Sequence, residues 1–303
     1  SYTHCPKSLR RHPFSLHSGQ QRIEAAPPLT HEPATTPIKQ PLYLTGVPRT
    51  GKSSLANLLA NDSATRTLEV WEAHNPAPLA DLKPGEEDPR YIKTKQYYDA
   101  MNAKSDFKKI HYMTADSAEE CIFLTNHSFE DSAYGFEIFL EPYGEFFRSV
   151  EGAAQYQYHA DLLRLLYSQR PASRWLLKAP SHLGHLDTIT KLHSDSGIIL
   201  THRNPVEVVG SYCSMMMTVM PEQSKTDANT LGVRILDHLV DQVKKSMAAR
   251  QQFNANRILD IHYNDIVSKP LDVVDQISAH FSFQCSSQAR ESISQYMHDH
   301  PRG

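Results

Sequence analysis

Five short apolar runs punctuate the chain, and the stretches between them carry apolar residues at three- and four-residue spacing. The runs lie at Leu42-Tyr43-Leu44 and within Thr67–Glu72, Arg174–Lys178, Gly197–Thr201 and Arg257–His262. Short runs bounded by turn residues predict strands, and the longer periodic stretches predict helices. A helix is expected after the first run, where Leu55, Leu58 and Leu59 share a face, then over 91–106, 115–127, 153–169 and 183–193. Another opens at Pro205, proline's favoured first helical position. A long amphipathic helix covers 227–253, and two more finish the chain. Strands alternating with helices predict a three-layer α/β fold: a parallel sheet of about five strands with helices on both faces. Crossovers bring the C-terminal ends of such strands to one edge, where open α/β sheets bind ligands. That edge would collect Pro48-Arg49, Glu72, Lys178, Arg203 and Tyr263.

The turn after the first run is the most informative stretch. Residues 46–53 read Gly-Val-Pro-Arg-Thr-Gly-Lys-Ser and match the P-loop pattern GxxxxGK[ST]. A glycine-bounded loop between strand and helix aims backbone N–H groups and the positive helix end at one point, which suits a phosphate or sulfate. Arg49 and Lys52 add cationic charge that an ordinary two-glycine turn would not need.

Composition narrows the partners. With 303 residues, 40% hydrophobic and 21% charged, the chain can bury a full core. A net charge of −3 argues against a general nucleic-acid binder. No apolar run approaches the roughly 18 residues that span a bilayer, and the N-terminal segment has no signal-peptide core, so no stable membrane insertion is expected. Cys5, Cys121, Cys213 and Cys285 are far apart, with no CxxC. They read as free thiols of a cytoplasmic protein, with a disulfide still open. Residues 1–40 hold six prolines and four histidines. They predict an extended arm, with one short helix near 14–25 at most, that packs over a single domain at 41–303 or helps a homodimer form. The histidine spacings match no ligand pattern, so no metal is expected.

Two ligand classes compete for the loop. A kinase or nucleoside triphosphatase using Mg-ATP would place Lys52 and Ser53 on phosphates and metal, and would need an acidic residue at a strand end. The apolar strands end instead in bases, at Lys178 and at His202-Arg203. Asp260 is mid-strand, which leaves Glu72 as the one tolerable acid.

Basic strand ends fit the second class better. The chain from residue 41 onward resembles the sulfotransferases that use 3′-phosphoadenosine 5′-phosphosulfate (PAPS), in particular the branch acting on small molecules, lipids and glycans in bacteria and simple eukaryotes. VPRTGKSS resembles that family's 5′-phosphosulfate loop, with Lys52 standing where Thr or Ser is common. HRNPVEVVGS resembles the 3′-phosphate segment, WLLKAPSHL the preceding strand whose lysine approaches the transferring group, and IHYNDIVSKP the late strand whose tyrosine lies near adenine. The resemblance implies a P-loop-like fold and metal-independent, in-line transfer of a sulfuryl group from PAPS to a hydroxyl, or an amine, of a small-molecule acceptor, with release of 3′,5′-adenosine bisphosphate (PAP). It places Arg49, Thr50, Gly51, Lys52, Ser53 and Ser54 at the 5′ end, Arg203 and Ser211 on the 3′-phosphate, and Tyr263 near adenine. Arg203 and Ser211, eight residues apart across a helix start, can converge on one phosphate, and arginine supplies bidentate donors to it. Lys178 would stabilise the transferring group, with Arg49 helping from the loop; a structural strand-end lysine is the plain alternative.

The base stays open between two residues. One family branch uses a glutamate matching Glu72. The cytosolic branch uses a histidine where this chain has Pro180, and His182 lies two residues on. Glu69 reads as an exposed strand residue, and His185 as a packed helix face. Glu119-Glu120-Cys121 either lines the acceptor pocket or simply supplies the acids that helix starts favour. Tyr97, Tyr98, Phe129, Tyr134, Phe136, Phe139 and Phe146 make the middle of the chain aromatic, suited to an apolar acceptor or to plain core. Family members continue past a basic, glycine-containing loop over the 3′-phosphate. Arg302-Gly303 resembles its start, so the domain is expected to be cut short there.

Overall fold

The computed structural model describes residues 37–79, 82–83, 85–103, 113–128, 152–219 and 226–299. Strand β1 (Leu42–Thr45) leads through the glycine-bounded loop into helix α1 (Lys52–Leu59). There follow β2 (Thr65–Thr67), α2 (Val70–His74), α3 (Pro89–Asn102) and the short α4 (Ile122–Thr125). Next come α5 (Ala153–Gln169), β3 (Arg174–Lys178), a 3-10 turn over Pro180–His185, α6 (Leu186–Leu192) and β4 (Gly197–His202). The chain continues through α7 (Pro205–Val219), α8 (Ala228–Arg250) and β5 (Ile258–His262), then α9 (Tyr263–Ser268), α10 (Pro270–His280) and α11 (Ser287–Asp299).

The five strands form one parallel sheet in the order β2-β3-β1-β4-β5. Successive strand residues point to opposite faces, and both faces are apolar. Tyr43, Trp175, Leu177, Ile198 and Leu200 pack with Leu163 and Leu166 of α5 and Ile189 of α6. Leu42, Leu44, Leu176, Ile199 and Leu259 pack on the other face with Leu55 and Leu58 of α1 and Val274 and Ile277 of α10. This is the expected three-layer arrangement. The β1 strand sits centrally, so the loop after it is flanked by the ends of β3 and β4.

Several element boundaries differ from the pattern's expectation. Thr67–Glu72 is not one strand: β2 stops at Thr67, and Val70–His74 is a helix. A capping box joins the side chains of Glu69 and Glu72 to each other's backbone N–H groups, which closes the helix start over the apolar run. Nor is 115–127 one helix. Residues 118–120 form no helix and make isolated bridges instead, pairing Ala118 with Glu69 and Glu120 with Lys178. Tertiary hydrogen bonds from Glu119 N to Leu68 O (2.7 Å) and Cys121 N to Lys178 O (2.8 Å) replace the helical ones. The stretch 183–193 begins as 3-10 turn and becomes helical only at Leu186. Three helices, not two, follow β5. The arm up to residue 36, the aromatic residues 129–146 and Arg302-Gly303 lie outside the described residues.

Candidate functional site

The loop between β1 and α1 is held by its own residues. Gly46 has φ +134°, and a Cβ there would lie 2.4 Å from Thr201 O, so only glycine lets the loop leave so close to β4. Arg49 (φ 65°) and Gly51 (φ 86°) are both left-handed, the conformation from which anion-binding backbone concavities are built. The Thr50 hydroxyl is turned inward, 2.9 Å from Val47 O and 2.6 Å from Thr201 Oγ1. Gly51 caps α1 without a side-chain hydrogen bond, and the first turn contains no acidic residue. The helix's positive end is therefore not neutralised from within.

Lys52 folds back under this loop. Its ammonium donates to Gly46 O at 2.9 Å and Val47 O at 2.7 Å. Burial lowers its pKa to about 7, with Lys178 and Arg49 adding to the shift and Glu120 opposing it. Ser53 stands exposed beside it, with Ser54 half-buried on the same turn.

Two strand ends complete the cationic rim. On the β3 side, Lys178 Nζ lies 3.2 Å from Ser53 Oγ and 3.7 Å from Glu120 Oε1. On the β4 side, Arg203 donates to Arg49 O at 3.1 Å and covers the Tyr263 ring at 4.2 Å. Glu207, one turn into α7, accepts from Arg203 at 2.9 Å. Arg49 Nε donates to Ser211 Oγ at 3.0 Å. Tyr263 also lies against Gly51, where an added Cβ would come within 3.0 Å of its ring. Residues from the loop, β3, α7 and α9 thus meet in one place, with Arg49, Lys52, Ser53, Lys178, Arg203, Ser211 and Tyr263 as neighbours.

Neither Glu72 nor His182 has a hydrogen bond or ion pair with these residues among those described. Glu72 is buried in α2, its side chain 2% exposed, with Arg66 at 2.6 Å and Arg170 at 3.2 Å on its two oxygens. Arg66 also donates to the carbonyls of Leu166 and Arg170. That cluster ties α2 to β2 and α5. His182 is enclosed in the apolar layer on the α5 face, with Nδ1 2.7 Å from the Tyr156 hydroxyl and Tyr43 edge-on to its ring. Burial holds its pKa well below the usual histidine value.

The carboxylates beside Lys178 are Glu119 and Glu120. Glu120 is half-buried, and its backbone amide donates to Glu119 Oε1 at 2.8 Å. Glu119 is buried, which pushes its pKa up to about 7, against the pull of Lys178. Periodicity gave no sign that 117–121 runs beside the end of β3. The adjacent acids were the one available signal, and they also suit an ordinary helix start.

Residues 41–286 match the model of the sulfotransferase family, and the chain belongs to that family. Among solved structures, sulfotransferase STF1 from Mycobacterium tuberculosis H37Rv superposes with a TM-score of 0.81 at 26% identity, over 92% of this chain and 78% of that one. Sulfotransferase STF9 from Mycobacterium avium gives a TM-score of 0.85 at 22% identity, over 97% and 80%. The likeness to STF9 concerns the fold. Comparison with curated proteins returns no match. Among the described residues, no helix is long and apolar enough to cross a membrane.

Proposed function

We propose that the protein transfers a sulfuryl group from PAPS to the hydroxyl of a small-molecule acceptor, without a metal. The observation that carries this is the contact between Lys178 and Ser53. In a magnesium-nucleotide enzyme the loop serine binds the cation, and an acid at a strand end completes its shell. Here the strand end beside the serine carries an ammonium, which would repel a divalent ion and suits an anion.

The residues present fit PAPS. The loop amides, the open end of α1, Lys52 and Ser53 would hold its 5′ end. Arg203 and Ser211, with Arg49 bridging to Ser211, would hold the 3′-phosphate, and Tyr263 would border the base. Bound there, PAPS supplies an activated sulfuryl group and leaves as PAP. Lys178 and the loop amides are aimed where negative charge grows during in-line displacement, and such fixed donors give large catalytic effects. We assign the base to Glu120 in place of Glu72 or His182. Its carboxylate is accessible and adjoins Lys178, so it can take the acceptor's proton at the place of transfer. Glu72 is committed to two arginines and His182 to the core. Three free cysteines among the described residues support a reducing, cytoplasmic setting.

Titration calorimetry with PAP in EDTA, against ADP with magnesium, tests this function. Saturable PAP binding that Arg203→Ala abolishes is expected. Binding only of the magnesium nucleotide would overturn it.

A further inference from the structure

Helix α8 carries an apolar stripe that no other described residue covers. Val233, Leu236, Val240, Val243 and Met247 are 38–62% exposed. Scattered exposed apolar residues are ordinary, but these five follow a 3-4-3-4 spacing. At 100° per residue they fall within an arc of about 80° and run for about 21 Å along the helix. That is the seam of a two-helix coiled contact. The face that packs on the domain is a different one, formed by Leu231, Ile235, Leu239, Gln242 and Ser246. Contiguous exposed apolar surface of this kind marks an interface.

The charges beside the stripe indicate what covers it. Asp237 and Lys244 border it on one side, seven residues apart and both exposed. Neither has an ion-pair or hydrogen-bond partner among the described residues. Asp241, further round the helix, is already paired with Lys245 at 3.0 Å. We infer that α8 packs antiparallel against α8 of a second copy of this chain, about a two-fold axis near Val240. Val233 of each copy then meets Met247 of the other, and each Asp237 comes opposite the other copy's Lys244. One side chain serves both halves of such an isologous contact. In a parallel pair each would instead face the opposite flank of the partner's stripe, where Leu239 and Ser246 stand, so only the antiparallel arrangement brings the two charges together.

A single helix pair lies at the small end of specific interfaces, so the dimer is reversible. Sedimentation velocity on the full 303-residue chain, over about 1–100 μM, should show a monomer–dimer equilibrium. Val240→Glu should leave only monomer with an unchanged thermal melt. Asp237→Lys or Lys244→Asp alone should weaken the dimer about tenfold by opposing like charges twice. The double swap, Asp237→Lys with Lys244→Asp, should restore it. A monomeric wild type would overturn the inference. That includes a stripe covered by residues 1–36, read as protection of α8 from hydrogen exchange in the monomer, and one covered by lipid, read by pelleting with anionic vesicles. A dimer indifferent to Val240→Glu and to the charge swaps would also overturn it.

Discussion

Lys178 Nζ lies 3.2 Å from Ser53 Oγ, joining the end of β3 to the first turn of α1. The lysine side chain is buried, and among the described residues its ammonium has polar contacts only with Ser53 and Glu120. Lys178→Met should therefore lower kcat by about 10²–10³ while PAP affinity changes little, because the lost charge acts on the transition state. Single-turnover sulfate transfer and calorimetry would separate the two. An equal loss in PAP affinity would place Lys178 in ground-state binding instead.

Glu120→Gln and Glu72→Gln should part company. The first removes the base and should cost about 10²–10⁴ in kcat with an unchanged melt. The second breaks a buried charge cluster, leaving Arg66 and Arg170 short of a partner, and should destabilise the fold by roughly 3 kcal/mol. Denaturant unfolding and initial rates on both variants decide it. A fully stable but inactive Glu72→Gln would return the base to Glu72.

Lys52 makes donor binding pH-dependent. With its pKa lowered to about 7, it is half-neutral in the free protein near pH 7. An anion bound at the loop favours the charged form and raises that pKa, so binding takes up a proton. PAP affinity should then fall by up to tenfold per unit as pH rises above about 7. Below that pH it should be flat in this group. Calorimetry in buffers of different ionisation enthalpy would read the proton directly, and Lys52→Met should remove the slope.

Acid should unfold the protein through its buried histidines. Burial lowers the pKa of His159 to about 3 and those of His185 and His193 to about 4, and His182 follows the same direction. These rings are neutral when folded and protonate near 6.5 when unfolded. The unfolded chain then binds more protons, so stability rises with pH in this window. It is fully present above about 6.5 and falls as pH drops toward 4, by about 1.4 kcal/mol per unit for each ring. Melting temperature between pH 7 and 4.5 should drop steeply. His159→Phe should flatten the slope, since neither ring nitrogen of His159 has a partner among the described residues.

The sequence by itself determined four of the five strands, the loop and the ring of basic strand ends. Each is local: a run of apolar residues makes a strand, glycines permit the turn, and parallel connectivity sends Lys178 and Arg203 to the loop's edge. Contacts between elements that are distant in the chain were decided only by tertiary structure. Glu72 looked like a strand-end acid because Leu-Glu-Val-Trp reads as a strand, yet a capping box makes it helical and two arginines claim its carboxylate. Glu120 reached Lys178 because 117–121 took its hydrogen bonds from Leu68 and Lys178 rather than from its own helix. Lys52, ambiguous in the motif, proved to be folded under its loop onto Gly46 and Val47. Periodicity records which side of an element is buried, but not which side chain from another element will meet it there.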